Sequence, residues 1–306
     1  MVAKKATGDG VVTKKKAYIK YFAALLMFGT NGIIASCVDL SSYEIVFTRT
    51  LIAGLLLAAI FVFSKRSVHL FCNRKQAFCL LISGMAMGAS WMFLYEAYRQ
   101  MGVGIASLAY YCGPVIVMIL SPVLFHERLT WAKAAGFLMV IIGIFWVNIQ
   151  ALDEGRTAWG LTCGIFSAFM YAVMVILNKK ADGITGLENA MWQLLAACAT
   201  VTVFIGCKQG LAIQIPAASW GPILILGIFN TGIGCYFYFS SIGFLPVQTV
   251  AVCGYLEPLS AVFFAALLLH ERMSLFQVLG AALILGGAAF GELFDASPRV
   301  SSKTDR

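Results

Sequence analysis

Few side chains in this sequence could do chemistry, and their setting matters more than their type. Glu257 ends a run of 48 uncharged residues that begins after Lys208. Taking a carboxylate out of water disfavours its charged form, so Glu257 could exchange a proton during a working cycle. The competing role is structural: bonding backbone freed by Pro258, or pairing with Arg49. Arg49 is the internal charge of the apolar stretch 43–64. It could attract a carboxylate, or serve as an ion pair with Glu44 or Glu257 in helix packing. Glu96 fits a charge that snorkels to an interface.

Aromatic and amide side chains supply the remaining candidates. Trp91, Tyr110, Tyr111 and Tyr255, with Asn31 and Asn230, are the candidate binding residues. Aromatic walls with a few hydroxyls suit a planar or amphipathic organic solute and can hold a cation by its charge. Tyr95 and Tyr238 fit interfacial belts better, because they fall near expected helix ends. Asn178 and Gln193 fit glue between helices as well as they fit ligand contacts.

Two triplets, His126-Glu127-Arg128 and His270-Glu271-Arg272, look like catalytic sets. Both fall at expected helix ends, where Thr130 or Ser274 can cap the next helix. Glu127 and Glu271, with Pro114 and Pro258, are therefore read as structural or gating residues. The three histidines form no HExxH, and no GxxxxGK[ST] occurs. No Cys/His spacing matches a metal site, and the nine cysteines are read as reduced, packing residues. No catalytic residue, metal or cofactor is expected.

The elements that hold these residues follow from composition. Of 306 residues, 60% are hydrophobic and 12% charged, against about 25% charged in ordinary soluble domains. A bilayer's hydrocarbon core is about 30 Å thick and takes roughly 20 apolar residues per helix. Charge-free runs of 18, 20 and 26 residues follow Lys20, Lys75 and Arg99. The pattern predicts an all-α integral membrane protein with ten transmembrane helices at 18–38, 43–64, 76–97, 103–125, 131–150, 158–178, 187–207, 219–241, 246–269 and 274–293. Only helices or closed barrels satisfy their backbone in lipid, and barrel strands would alternate. The lysine-rich opening with no small-residue cleavage pattern argues against a cleaved signal peptide.

With the N-terminus inside, the inner segments hold 17 of the 22 Lys and Arg residues and the outer side 5. Both termini are therefore expected in the cytoplasm. The net charge of +8 calls for anionic lipid headgroups rather than nucleic acid.

Shifting the chain by 144 residues aligns Gly88–Ile144 with the second half without a gap. Tyr111 meets Tyr255, Pro114 meets Pro258, Gly136 meets Gly280, Gly143 meets Gly287, and the two triplets coincide. Five spans per half is an odd number, so the halves are expected to be inverted, a recurrent transporter design. The expected organisation is a basic cytoplasmic tail (1–16), a first five-span repeat (17–152), a second (153–294) and a tail (295–306). Both tails are expected to be disordered.

On the arginine of Phe47-Thr48-Arg49, the Pro114 to Leu129 stretch, Leu256-Glu257-Pro258 and the two triplets, the chain resembles the EamA-type, ten-span branch of the drug/metabolite transporter superfamily over about residues 18–293. The resemblance implies a basket of helices around a central cavity lined by spans 3, 4, 8 and 9. It implies movable spans 1, 2, 6 and 7 and peripheral spans 5 and 10. It implies secondary transport of a small organic solute, with export of amino acids or related metabolites leading and proton coupling open. Multidrug or hydrophobic-cation efflux is the alternative. A bacterial inner-membrane protein, monomeric or weakly dimeric, is the accompanying expectation.

Overall fold

The structure, a computed structural model, describes residues 3–65, 67–125, 129–147, 158–208, 210, 213–268 and 275–294. Among these residues every regular element is helical. Glu127, Glu271 and the tail 295–306 lie outside the described residues.

Helix α1 spans Ala3–Gly29. The expected disordered tail over 1–16 is thus replaced by helix from Ala3. No proline interrupts this stretch, and its alanines and lysines favour helix. The chain breaks at Thr30 into the short α2, Asn31–Ser36. Helix α3, Ser42–Phe63, begins with a capping box in which Ser41 and Glu44 bond each other's backbone N–H. That box engages Glu44 at the helix start, so Glu44 is not the partner expected for Arg49.

Helical backbone, α4, runs over Arg74–Tyr110, 37 residues, but not in a straight line. Ser90 meets Ser167 and Tyr110 meets Tyr171, four residues apart on the helix Ala158–Lys180. A straight helix would part Ser90 from Tyr110 by about 30 Å. The chain therefore doubles back between Ser90 and Tyr110, the interval in which the sequence ends one span at 97 and starts the next at 103. A further break falls at Tyr111, before α5, Cys112–Phe125. Pro114 sits in the first turn of α5, where a missing N–H costs nothing. The same punctuation recurs later. Helix α11, Val247–Gly254, stops at Tyr255, and α12, Leu256–Leu268, follows with Pro258 in its first turn.

The other helices are α6 (Trp131–Val147), α7 (Ala158–Lys180), α8 (Gly186–Lys208), α9 (Trp220–Leu224), α10 (Gly234–Ile242) and α13 (Leu275–Leu293). Between α9 and α10 the backbone is a π-helix over Ile225–Ile233. Such wide turns are rare and concentrate at functional sites. Six helical segments are long and apolar enough to cross a membrane, and shorter apolar helices accompany them. Large apolar side chains such as Phe63, Val123 and Trp131 face outward, as in a protein whose solvent is lipid. This is a multi-pass membrane protein.

Small residues and hydroxyls bring the helices together. Helix α4 packs along α7 and α8, α3 along α8 and the π-helix, α1 along α10 and α12, and α6 along α13. Ser90 donates to the Ser167 carbonyl (2.9 Å) and Ser167 to the Ser90 carbonyl (2.7 Å), stitching α4 to α7. Cys163, Cys235 and Cys253 are buried, but Cys37, Cys72, Cys112 and Cys207 are exposed, so packing explains only some of the cysteines.

Contacts recur at positions 144 residues apart. A Cβ on Gly143 would lie 2.6 Å from the Gly280 carbonyl oxygen, and Gly136 abuts Gly287 in the same way. A Cβ on Gly88 would lie 3.2 Å from Thr200 Cβ, and one on Gly232 3.1 Å from Leu56 Cδ2. Each contact is answered by one between the two positions 144 away. Tyr111 and Tyr255 meet each other directly, the Tyr255 hydroxyl donating to the Tyr111 carbonyl at 2.7 Å.

Candidate functional site

A cavity of about 530 Å³ lies between α1–α2, α3, α4, α7 and α10, with Tyr111, Gly254 and Glu257 contributing from the helix breaks. It reaches the exposed residues Gly32 and Arg99 at one end. Its other end is bounded by buried Leu25, Met87 and Met174. Just past that end, fully buried Tyr21 donates to the Val250 carbonyl at 2.7 Å, tying α1 to α11. Lys179 at the C-terminus of α7 donates to the carbonyls of Ile242, Gly243 and Leu245 as α10 ends. A cation suits carbonyls gathered at a helix C-terminus.

Arg49 points into the cavity from the second turn of α3. Its Nε donates to Thr231 Oγ1 at 3.0 Å. Its guanidinium carbon stands 4.6 Å from the Trp91 ring centre. The π-helix presents Thr231, whose own hydroxyl donates to the Leu226 carbonyl five residues back. Among the described residues, Arg49 makes no ion pair within 4.0 Å, so neither Glu44 nor Glu257 is its direct partner. Glu257, in the first turn of α12, lines the same cavity. Its carboxyl has no hydrogen bond or ion pair among the described residues.

Of the sequence candidates, Asn31, Arg49, Trp91, Tyr111 and Glu257 line this one cavity. Tyr110, Asn230 and Tyr255 do not. Tyr110 packs edge-on against Tyr171, with ring centres 5.5 Å apart. Tyr255 is buried against Tyr111 and Phe137. Asn230 is a clamp: its Nδ2 donates to the Met27 carbonyl, Thr30 Oγ1 and Asn31 Oδ1, holding the α1–α2 break and orienting Asn31. Pro114 is buried in α5, away from the lining.

Tyr95 and Tyr238, assigned to interfacial belts by position, line the cavity. Tyr171 and Arg99 are lining residues that sequence reasoning passed over. A tyrosine in the middle of an apolar span was the available signal for Tyr171. Asn178 and Gln193 act as glue: Asn178 donates to Asn189 Oδ1 at 2.9 Å and Gln193 to Ser83 Oγ at 2.7 Å. Glu96 is held by Gln100 (3.0 Å) and Lys208 (3.5 Å) beside the exposed end. Among the described residues no group of His, Cys, Asp and Glu could hold a metal ion.

Known proteins resemble this chain in sequence or in fold. An uncharacterized transporter, YxxF, of Bacillus subtilis (strain 168) is 24% identical over 90% of this chain and 89% of its own. A WAT1-related chloroplastic protein of Arabidopsis thaliana is 27% identical over 78% of this chain and 59% of its own. A probable terminal-alkyne amino-acid exporter of Streptantibioticus cattleyicolor is 27% identical over 65% of this chain and 69% of its own. A solved crystal structure superposes with a TM-score of 0.76 at 20% identity, over 90% of this chain and 97% of that one, a likeness of fold. The EamA-like transporter family matches twice in tandem, over residues 15–149 and 158–291. With both halves matched, the chain belongs to the EamA-like transporter family.

Proposed function

We propose that this chain is a secondary transporter that moves small organic metabolites by alternating access, exporting amino acids or related compounds across a bacterial inner membrane. The observation that carries the reading is the cavity: open at one end, closed at the other, and lined from both halves of the chain with the intramembrane charges Arg49 and Glu257. Ten spans in two inverted five-span halves accommodate it. The reciprocal contacts of Gly136 with Gly287 and of Gly143 with Gly280 support that inversion, because a two-fold operation exchanges such pairs. With both termini cytoplasmic, the open end faces outward, and the links from Tyr21 and Lys179 belong to a closed inner gate. The solute and the surrounding lipid are the partners, with no nucleic acid, and the working unit is a monomer or weak dimer.

The printed description of the Streptantibioticus relative favours amino-acid-like solutes. Glu257 gives the cycle a carboxyl that can trade a proton. A second reading, efflux of hydrophobic cations, draws on Trp91, Tyr95, Tyr111, Tyr171 and Tyr238 around that same carboxylate. Inverted vesicles containing the full chain separate the two. Accumulation of labelled amino acids, faster with an imposed pH gradient, is the expected result. Accumulation of hydrophobic cations alone would favour the second reading, and no movement of any small solute would remove both.

A further inference from the structure

We propose that the cavity recognises an acidic group on its solute, met by Arg99 at the mouth and held by Arg49 in the interior. The proposal rests on the cavity being the solute path, and it narrows the solute to compounds bearing a carboxylate or an equivalent acid. Two guanidinium groups line one cavity, and neither has a carboxylate within ion-pair distance among the described residues.

Arg49 is 5% exposed. A guanidinium carries five N–H donors, and only Nε has a partner among the described residues, Thr231. The contact with Trp91 steadies the charge without consuming donors. Buried donors without acceptors are costly, and an intramembrane charge more so. The remaining donors open on the cavity alone, and an acidic group is the acceptor that suits them best, through charge-assisted, bidentate bonds.

Arg99 is exposed where the cavity opens, its guanidinium carbon 6.0 Å from the Tyr43 ring centre. Glu96 is within its electrostatic reach but is itself bound by Lys208 and Gln100. Against the two arginines the cavity sets one carboxylate, Glu257, which acts on Arg49 from beyond ion-pair distance. A solute acid brings the lining to neutrality while Glu257 is ionised, and a solute cation meets a surplus of like charge in either protonation state of Glu257. A cation at the mouth also steers anions inward before they touch the interior.

Matched pairs test this: phenylacetate against phenylacetamide, and acetate against acetamide, titrated by tryptophan fluorescence of the purified full chain. The acids should bind and the amides should bind at least about tenfold more weakly. Arg49→Gln should remove that preference, and Arg99→Gln should slow acid association about two- to fivefold, more so at low salt, leaving the amides unchanged. Should Arg49→Gln misfold, the wild-type protein still decides. Phenylglyoxal modification of Arg49 and Arg99, read by mass spectrometry, should be blocked by the acids and not by the amides. Equal binding of acid and amide, or equal protection by both, overturns the proposal. Acids that bind with these dependences but are not exchanged across proteoliposomes would uphold the acid site and overturn the transport reading. Exchange of neutral solutes with no preference for acids would do the reverse.

Discussion

Arg49 and Gln193 stand 144 residues apart, on α3 and α8, and both are buried. Gln193 turns to Ser83 on α4; Arg49 turns to Thr231 on the π-helix and opens on the cavity. At other positions separated by 144 the residue type changes, although Trp91, Tyr95, Cys235 and Phe239 all line the cavity. Trp91 answers to Cys235, Tyr95 to Phe239, and Gly113 to Glu257. At the helix contacts the corresponding positions do matching work, as Gly88 with Thr200 and Leu56 with Gly232 show. The backbone diverges too: α4 stays α-helical past Trp91, whereas the corresponding stretch includes the π-helix Ile225–Ile233. The lesson is a division of labour. Packing is duplicated between the halves, while the charge that faces the cavity differs in sign: the arginines come from the first half and the carboxylate from the second.

Substitutions can break that division. Arg49→Gln should lower solute exchange in proteoliposomes by roughly ten- to a hundredfold, the scale of a charge-assisted, bidentate contact, and Arg49→Lys should recover only part of it. Glu257→Gln should leave the protein folded and make transport indifferent to an imposed pH gradient. Vesicle uptake with and without the gradient checks this, and retained stimulation would return Glu257 to a structural role. Gly143→Leu should cost about 1–3 kcal/mol of stability through overpacking against Gly280. Gly287→Leu, on the opposite helix of the same seam, should cost a similar amount; thermal unfolding in detergent would show it. The smallest effect belongs to Gln193→Leu. It removes one side-chain hydrogen bond, worth about 1 kcal/mol, and should leave exchange near wild type. A loss of exchange as large as that of Arg49→Gln would mean the halves share the work.

Much of the bundle was legible because a bilayer imposes a length on apolar runs, and charges mark their ends. Helices α3, α7 and α8 fall within two residues of the boundaries read from charge alone. The helix break at Tyr111 was not legible, because the charge-free run read as the span 103–125 continues through it. The π-helix left no mark in the sequence either. Intramembrane charge pointed to Arg49 and Glu257 at once. Their partners were hidden, since Thr231 lies 182 residues from Arg49 and reaches it through a register that only packing sets. Asn230 shows the converse: an amide in a span reads as ligand or glue alike, and here three acceptors at the α1–α2 break hold it.

The central claim is that solute passes through the cavity between Arg49 and Glu257. Counterflow in proteoliposomes containing only this chain tests it most directly, with labelled amino acids outside and a panel of unlabelled ones trapped inside. The account predicts rapid exchange by the wild-type protein and by Gln193→Leu, and loss of exchange by Arg49→Gln in protein that unfolds at the wild-type temperature. Undiminished exchange by that variant would contradict it.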